Sequence, residues 1–239
     1  MHKVKRAIIM AAGIGNRMHP VTLDIPKPLV PVNGVRMIDT VIRGLQKNGI
    51  NEIYVVVGYL KEQFEVLEKE YGVHIIENPY YNNCNNISSL YVAREYLEDA
   101  IILDGDQIIY NEKILCSEFE KSGYNAVWTD DYTDEWLMQV ENDRVISCSR
   151  TGGKSGWQLY SISRWSAEDG KKLRKHLEEE FEINKNRQIY WDDVAMFCHF
   201  EEFNLGIMQM KKDDIIEIDS FEELIGLDHS YNNMREREN

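Results

Sequence analysis

The sequence predicts an α/β protein built on a mixed sheet with helices on both faces. Three observations predict it. A buried strand near the amino terminus runs into a glycine-rich loop, and apolar strands alternate with amphipathic helices over the first hundred residues. The third observation is size, since 239 residues with 43% hydrophobic content can bury one sizeable core. No second full domain is needed.

The first element is the strand Val4 to Met10, which is followed by Ala11-Ala12-Gly13-Ile14-Gly15-Asn16-Arg17. Because Gly13 and Gly15 lack Cβ atoms, the backbone there can turn sharply and bring N–H groups against a phosphate. Arg17 and Lys27 add mobile positive charge. Nucleotides bind at the carboxyl ends of strands in α/β sheets, so this loop predicts phosphate chemistry.

Two common glycine motifs do not fit the loop. A dinucleotide-binding fingerprint would have its third glycine where Met18 stands, and a helix where Pro20 and Pro26 stand. A Walker A loop would close with Gly-Lys-Ser/Thr, which is missing. The remaining alternative to phosphate binding is a structural turn with two surface cations.

The next elements alternate as a doubly wound sheet requires. In order, they are a helix from Met37 to Lys47, a strand from Glu52 to Val57, a helix from Lys61 to Tyr71, a strand from Val73 to Ile76, a helix from Ile87 to Tyr96 and a strand from Ile101 to Leu103.

From Tyr124 onward the pattern is rich in strands, and helices return at Ala167 to Phe181 and Trp191 to Phe200. A late strand ends before Asp219, and a helix from Phe221 to Gly226 follows it. We therefore expect one domain over residues 1–228, with a small strand-rich insertion at about 124–200. Residues 229–239 are polar and are predicted to be a tail or the start of a linker.

Acidic residues follow two of the predicted strands. Asp104 and Asp106 share one face of the chain, and the intervening Gly105 is expected to leave room for a ligand near the backbone. Mg²⁺ bound to a triphosphate usually takes one or two protein carboxylates. The alternatives are an acidic turn for this pair and, for Asp219, a simple helix cap.

The run from Ala11 to Val30, with Pro26-Lys27-Pro28 inside it, resembles the signature of the nucleotidyltransferases that make NDP-sugars and CDP-alcohols. The resemblance implies a Rossmann-like sheet and an enzyme that joins a nucleoside triphosphate to a phosphorylated acceptor, releasing pyrophosphate. It also implies that Arg17 and Lys27 are catalytic and hold the triphosphate, and that the loop residues bind the nucleotide through Ala11, Ala12, Gly13 and Gly15.

Matching the family's D-x-D segment, Asp106 would be a ligand of the cofactor Mg²⁺, and Asp104 would contact the ribose or support the metal site. In related cytidylyltransferases an aspartate in a similar Glu-Ile-Asp segment completes that site. Here the matching residue is Asp219.

The segment Asn85-Asn86-Ile87-Ser88-Ser89-Leu90 resembles the bacterial CTP:phosphocholine cytidylyltransferases, and the resemblance spans nearly the whole chain. It implies that CTP is the nucleotide and that Asn86, Ser88 and Ser89 touch the base or the ribose. The alternative is helix capping, for which Asn and Ser are ordinary residues.

Two segments of the strand-rich insertion mix carboxylates with aromatic rings, as recognition of an ammonium group needs, so the part at about 124–200 is expected to be the acceptor-binding part. They supply Asp131 and Trp136 from one segment, and Tyr190, Trp191 and Asp192 from the other. Aromatic faces suit a quaternary amine, whereas carboxylates suit a primary ammonium that donates hydrogen bonds. The alternative is that the aromatics are core residues and the acids a solvated face.

A glycine-rich loop after Ser149 contains Lys154, which is expected to receive the acceptor's phosphate or phosphonate unless the loop is an ordinary hairpin turn. This region resembles cytidylyltransferase domains that act on 2-aminoethylphosphonate, which are commonly fused to an aminotransferase. The tail after Asp228 fits the start of such a fusion.

The sequence thus favours a cytidylyltransferase that makes CMP-2-aminoethylphosphonate or CDP-choline, with a slight preference for the phosphonate product. Three other functions stay open. A sugar-1-phosphate nucleotidyltransferase would need a neutral, hydroxyl-reading pocket. A NAD-dependent enzyme lacks its third glycine. A regulatory nucleotide-binding domain would not need Arg17, Lys27, Asp106 and Asp219 together.

The net charge of −14 argues against nucleic acid or an anionic membrane as the main partner, because both attract a basic face. It does not exclude a nucleotide substrate, since distant charges are screened beyond ~8 Å at physiological ionic strength. The four cysteines show no C-x-x-C spacing, so neither a disulfide framework nor a cysteine zinc site is indicated. Without a recognisable signal peptide, a cytoplasmic location is expected.

Overall fold

The computed structural model describes the backbone of residues 1–237 and the side chains of residues 1–234. The strands are β1 (His2–Lys3), β2 (Arg6–Ala11), β3 (Pro31–Val32), β4 (Val35–Arg36), β5 (Glu52–Val57), β6 (His74–Glu77), β7 (Ala100–Asp104), β8 (Gln107–Ile109), β9 (Glu118–Phe119), β10 (Gly123–Thr129), β11 (Leu137–Glu141), β12 (Arg144–Ser149), β13 (Gly156–Trp165), β14 (Gly206–Gln209) and β15 (Ile215–Glu217). The α-helices are α1 (Met37–Lys47), α2 (Glu65–Tyr71), α3 (Ile87–Val92), α4 (Ala167–Glu178), α5 (Trp191–Asp193) and α6 (Phe221–Leu227).

The parallel half of the nine-stranded sheet is centred on β2. This strand pairs in parallel with β5 on one side and β7 on the other. Alternate residues of a strand point to opposite faces. Accordingly, Ile9 packs in one core cluster with Ile38 of α1, and Ile8 packs in another with Leu90 of α3 and Leu173 of α4. The predicted mixed sheet with helices on both faces is confirmed.

The strand-rich region extends this same sheet. β13 pairs antiparallel with β7, and β10 and β11 both pair with β13. β14, which the sequence did not predict, joins β10 in parallel. Gly123 lets these two strands meet, since a Cβ at that residue would lie 1.9 Å from the carbonyl oxygen of Gly206.

Four predicted helices are interrupted. The helix expected from Lys61 begins as a 3₁₀ turn because Leu60 is left-handed, with φ 48°. The helix expected from Ile87 ends at Val92, and a separate 3₁₀ turn follows. The helices expected from Ala167 and from Trp191 pass into π-helical turns at Glu179–Ile183 and Val194–Cys198.

The predicted tail begins with a 3₁₀ helix, His229–Arg237. Within it, the Tyr231 hydroxyl donates to the carbonyl oxygen of Pro31 at 2.8 Å, and Met234 packs against a core cluster that includes Met18. Residues 238–239 lie outside the described part of the chain, so a linker after this helix stays a prediction. No helix of residues 1–237 has both the length and the apolar composition that crossing a membrane requires.

Candidate active site

The loop after β2 uses its two glycines differently. Gly15 is left-handed (φ 72°), and a Cβ there would approach the side chains of Lys27 and Thr22 to 3.1 Å. Thr22 Oγ1 donates to the Gly15 carbonyl at 2.8 Å, which fixes the turn. A Cβ at Gly13 would meet no atom of the described chain within 4 Å. Gly15 therefore permits the turn, and Gly13 keeps the space beside it open.

That space is a cleft of about 380 Å³ at the carboxyl ends of β2 and β7. The structure brings eleven of the predicted site residues to its walls: Ala11, Ala12, Gly13, Gly15, Arg17, Lys27, Asn86, Ser89, Asp104, Asp106 and Asp219.

Lys27 is the buried positive centre of the cleft. Its side chain is 10% exposed, and its Nζ lies 2.5 Å from Asp106 Oδ2 and 3.0 Å from Asp219 Oδ1. Burial opposes the ammonium charge, but the two carboxylates outweigh burial and raise the pKa of Lys27. Arg17 differs because its side chain is largely exposed, and its Nη2 lies 3.0 Å from the same oxygen of Asp219. The cleft therefore holds one fixed cation and one mobile cation.

Four carboxylates meet opposite these cations. β15 pairs with β8 so that Glu217 stands opposite Gln107, the residue after Asp106. Carboxylate oxygens of Asp104, Asp106 and Glu217 lie within 4.8 Å of one another. Burial, reinforced by the neighbouring carboxylates, raises the pKa of Asp104 and of Glu217 well above the usual range. The cleft thus has more acidic than basic groups.

These residues fit a hard divalent cation such as Mg²⁺, which prefers oxygen ligands. Asp106 and Asp219 already converge on one positive centre, the Lys27 ammonium. Both predicted ligands could therefore hold such an ion, and Glu217 lies close enough to assist. Sequence reasoning did not assign Glu217, although a position two residues before Asp219 on an extended segment signals a shared face.

Gly105 has a different role from the one expected of it. A Cβ at this residue would approach Ile9 Cγ2 to 3.2 Å, and both the Met10 carbonyl oxygen and Pro28 Cβ to 3.3 Å. The space beside Gly105 is filled by protein. This glycine lets the end of β7 pack closely against β2 and against the 3₁₀ turn Lys27–Leu29.

A second cavity, of about 240 Å³, adjoins the cleft. Four residues line both spaces: Asn86, Asp104, Glu217 and Asp219. Trp136 and Tyr190 form a corner of the second cavity, with ring planes at 89° and centroids 6.0 Å apart. The remaining lining residues are Glu135, Leu159, Ser161 and Asp192. Its described lining includes no lysine or arginine, so the cavity is acidic and partly aromatic.

Asp192 is the most buried acid of this second cavity. It is 8% exposed, and its carboxyl lies beside the buried hydroxyl of Tyr124. Burial raises the pKa of Asp192 to about 7, against a smaller opposite effect of the Tyr124 hydroxyl. A buried carboxylate is costly to desolvate, so the wall of the cavity that carries Asp192 is suited to a ligand with a positive charge.

Two of the predicted acceptor residues lie outside both cavities. Asp131 is exposed in the loop after β10, where its N–H donates to Thr129 Oγ1. Lys154 is exposed in the connection between β12 and β13, beside a backbone pair of Thr133 and Gly153. This connection is not the hairpin turn of the alternative either, because β12 and β13 both pair with β11 and lie on opposite sides of it. Its position outside both cavities does not support phosphate binding by Lys154.

Two more predicted residues are buried away from the cavities. Trp191 is 1% exposed and stacks on Tyr124, with ring centroids 6.1 Å apart, so it is a core residue and not an acceptor contact. Ser88 Oγ donates to the Asn85 carbonyl and accepts from Asn78 Nδ2. The Ser88 hydroxyl is therefore used inside the protein, and it does not cap α3, which has no side-chain cap.

Sequence reasoning also missed Glu135 and Ser161. Glu135 lies inside the acidic segment that contains Asp131 and Trp136. Which acid of that segment faces the cavity depends on where β11 begins. Ser161 lowers the pKa of Asp104 by hydrogen bonding, against the larger effect of burial. No sequence signal distinguishes this serine from others on β13.

The site combines a glycine-rich loop, a buried lysine and converging carboxylates at the carboxyl ends of parallel strands. This combination is typical of a nucleotidyltransferase. The sequence profile of the MobA-like NTP transferase domain matches residues 7–174, and the chain belongs to that family.

Curated relatives cover the same span. The chain is 39% identical to a 2-aminoethylphosphonate cytidylyltransferase of Lancefieldella rimae, over 94% of this chain and 92% of that protein. It is 32% identical to a choline-phosphate cytidylyltransferase of Streptococcus pneumoniae, over 91% and 94%. A solved structure of the CTP:phosphocholine cytidylyltransferase from Streptococcus pneumoniae superposes with a TM-score of 0.87 at 31% identity, covering 99% of this chain and 100% of that one.

Proposed function

We propose that this enzyme is a Mg²⁺-dependent cytidylyltransferase that transfers CMP from CTP to a small aminoalkyl phosphonate or phosphate and releases pyrophosphate. The observation that carries the proposal is the acidic, aromatic cavity that shares a wall with the cleft that contains Lys27 and Arg17. Such a pair of spaces suits one substrate with a triphosphate and another with a cationic head. The names of the relatives support the same assignment.

The cleft would take the nucleotide. Backbone N–H groups near Gly13 and Gly15, together with Lys27 and Arg17, are suited to hold the triphosphate. Asn86 and Ser89 line the same space and are available to the ribose or the base. Asp106 and Asp219 would hold Mg²⁺, which when bound would neutralise charge on the phosphates.

The chemistry follows from this arrangement. An ionised oxygen of the acceptor attacks the α-phosphorus in line, a new P–O bond forms, and the bond to the bridging oxygen breaks to release pyrophosphate. The acceptor oxygen carries its negative charge at neutral pH, so no general base is required. Lys27 and Arg17 position the triphosphate and stabilise the charge that develops on the leaving group.

The second cavity would bind the amine of the acceptor. Its positive head would pair with Asp192 and Glu135 and lie in the corner of Trp136 and Tyr190, where a cation–π contact contributes ~0.5–2 kcal/mol. The carboxylates of Asp192 and Glu135 in the lining favour a primary ammonium, because that group can donate hydrogen bonds to them. We therefore infer that 2-aminoethylphosphonate is the preferred acceptor.

Phosphocholine is the second candidate. The perpendicular rings of Trp136 and Tyr190 offer two faces to a quaternary ammonium. The curated relative and the solved structure from Streptococcus pneumoniae are both named for choline phosphate or phosphocholine.

The test is the rate of pyrophosphate release with CTP and Mg²⁺, measured with 2-aminoethylphosphonate, phosphocholine and glucose 1-phosphate as acceptors. We expect the highest kcat/KM for the phosphonate and little turnover of the sugar phosphate. Asp192→Asn should lower kcat/KM for the phosphonate by at least ~10-fold, since it removes a buried charge partner worth more than ~1.4 kcal/mol.

Asp131→Asn is the matched control, because Asp131 is exposed and lies outside both cavities. It should leave kcat/KM unchanged. Preferential use of glucose 1-phosphate, or equal effects of the two substitutions, would refute the proposed acceptor site.

A further inference from the structure

Two histidine rings stack on each other at a place that the proposed reaction does not use. His176 lies in the last turn of α4, and His199 directly follows the π-helical turn Val194–Cys198. Their ring centroids are 3.7 Å apart and their planes differ by 20°. His176 is 1% exposed. Neither ring lines the cleft or the second cavity.

Each ring has one nitrogen beside a carboxylate. His176 Nδ1 lies 3.4 Å from Glu179 Oε2, and His199 Nε2 lies 3.0 Å from Glu180 Oε1. Glu180 is itself fixed, because the side-chain amides of Asn184 and Asn186 donate to it. Carboxylates that accept from one histidine nitrogen orient the ring and make the opposite nitrogen a better metal ligand.

The two opposite nitrogens face a third carboxylate, that of Glu202. Glu202 Oε2 lies 3.0 Å from His176 Nε2, and Oε1 lies 3.9 Å from His199 Nδ1. Ligand atoms of His176, His199 and Glu202 all lie within 4.8 Å of one another. Zinc bonds of ~2.0–2.2 Å in a tetrahedron bring ligand atoms to about 3.3–3.6 Å apart. The ligand atoms are near that spacing, but the stacked rings are almost parallel, so one ring must turn before both nitrogens point at a single ion.

The backbone around the pair is specialised. The N–H groups of Asn184 and His199 donate to carbonyl oxygens five residues back, those of Glu179 and Val194. Such π turns are rare and are frequent at functional sites. One of them contains Glu180 and the other immediately precedes His199, so they set the positions of the cluster residues.

We propose that His176 Nε2, His199 Nδ1 and the Glu202 carboxylate bind a zinc-type divalent ion, with water in the fourth position. Imidazole with carboxylate is a donor set that suits zinc and similar first-row metals, unlike the all-oxygen set in the cleft. The side chain of Glu202 is 52% exposed, which leaves a path from solvent. The cysteine spacing argued only against a cysteine site, and this one uses no thiol.

The bound ion would join α4 to His199 and Glu202, which lie at the end of the segment 190–202. Tyr190 and Asp192 lie at the start of that segment. Those two residues line the second cavity. The ion would therefore stabilise the folded chain and hold the segment that carries them.

The test is a zinc titration of the chelator-treated full chain in excess Mg²⁺ and CTP, so that the acids of the cleft are occupied by magnesium. We expect about one zinc ion per chain. At a zinc concentration about 100 times the Kd, we expect a rise of about 5–10 °C in Tm.

Glu202→Gln should weaken zinc binding by at least ~10-fold, and the matched variant Glu201→Gln should leave it unchanged. Both residues are exposed, so neither substitution disturbs the core. Cobalt(II) offers a readout on the unaltered chain, which should show the visible absorption of a tetrahedral ion. Absence of zinc binding, equal binding by the two variants, or an octahedral cobalt spectrum would overturn the proposal.

Discussion

Lys27 links the two acids proposed to hold Mg²⁺ to the glycine-rich loop proposed to hold the triphosphate. Its ammonium contacts Asp106 and Asp219, and only 10% of its side chain is exposed. A charge that is fixed before the reaction stabilises the transition state without reorganisation.

We therefore expect Lys27→Ala to lower kcat by at least ~100-fold, equivalent to ~2.7 kcal/mol of transition-state stabilisation. Steady-state pyrophosphate release measures the effect. Lys61→Ala is the control, since Lys61 is exposed and its carboxylate partner is Glu77. A Lys27→Ala enzyme with near-normal kcat would rule out the role given to this residue.

Asp192 also predicts a pH dependence of stability. Its carboxyl has a pKa of about 7 in the folded chain, against 3.8 for an unperturbed group. Between these values the folded state binds more protons than the unfolded state, so this residue lowers the free energy of unfolding as pH rises from about 4 to 7. Above pH 7 its contribution is constant.

Asp192→Asn removes that contribution. Relative to wild type, the variant should gain about 2–3 kcal/mol in the free energy of unfolding between pH 5 and pH 8. Urea denaturation of both chains at several pH values, without substrates, measures the difference. A difference that does not change with pH would mean that the buried carboxyl is not the cause.

Single residues of the site could be predicted only where local chemistry decides their role. Gly15, Lys27 and Asp106 follow from a loop and a strand end that need those residue types. The sequence could not show which of the neighbours Tyr190 and Trp191 lines the cavity, because this depends on how the short helix α5 packs on β10.

That helix gives a test of the assignment at the level of the element. Trp191 packs against Tyr124 and Trp165 in the core, whereas Tyr190 is half-exposed at the cavity. Trp191→Ala should lower the free energy of unfolding by about 3–5 kcal/mol. Tyr190→Ala should instead raise KM for the acceptor, with a change in stability of about 0.5 kcal/mol or less.

Chemical denaturation and acceptor kinetics on the two variants separate the roles. A Trp191→Ala chain of wild-type stability, with a raised acceptor KM, would restore the original hypothesis that Trp191 binds the acceptor.

The bounds of a helix or strand were predicted well where its apolar residues keep one regular spacing from end to end. α1 and β5 have the predicted bounds. The π turns after α4 and α5 do not follow from apolar periodicity, because they depend on hydrogen bonds between distant side chains such as Glu180 and His199. The pairing of β15 with β8, which brings Glu217 beside Asp106, joins segments about a hundred residues apart and has no local signal.

The charges of the chain are unevenly distributed. The net charge is −14, yet the cleft concentrates Lys27 and Arg17 beside the glycine loop, and the adjoining cavity is acidic. Because distant charges are screened within ~8 Å, these local groups decide which substrates enter. The fold alone allows many acceptors, and the acidic, partly aromatic cavity beside the cleft supports the proposal of an acceptor with a cationic amine.

The most direct measurement is the mass of the product formed from CTP, Mg²⁺ and 2-aminoethylphosphonate. The account predicts CMP-2-aminoethylphosphonate and an equal amount of pyrophosphate, with both lost when Mg²⁺ is chelated. Intact CTP with every aminoalkyl phosphonate and phosphate tested, or a CMP-sugar as the main product when glucose 1-phosphate is also present, would contradict it.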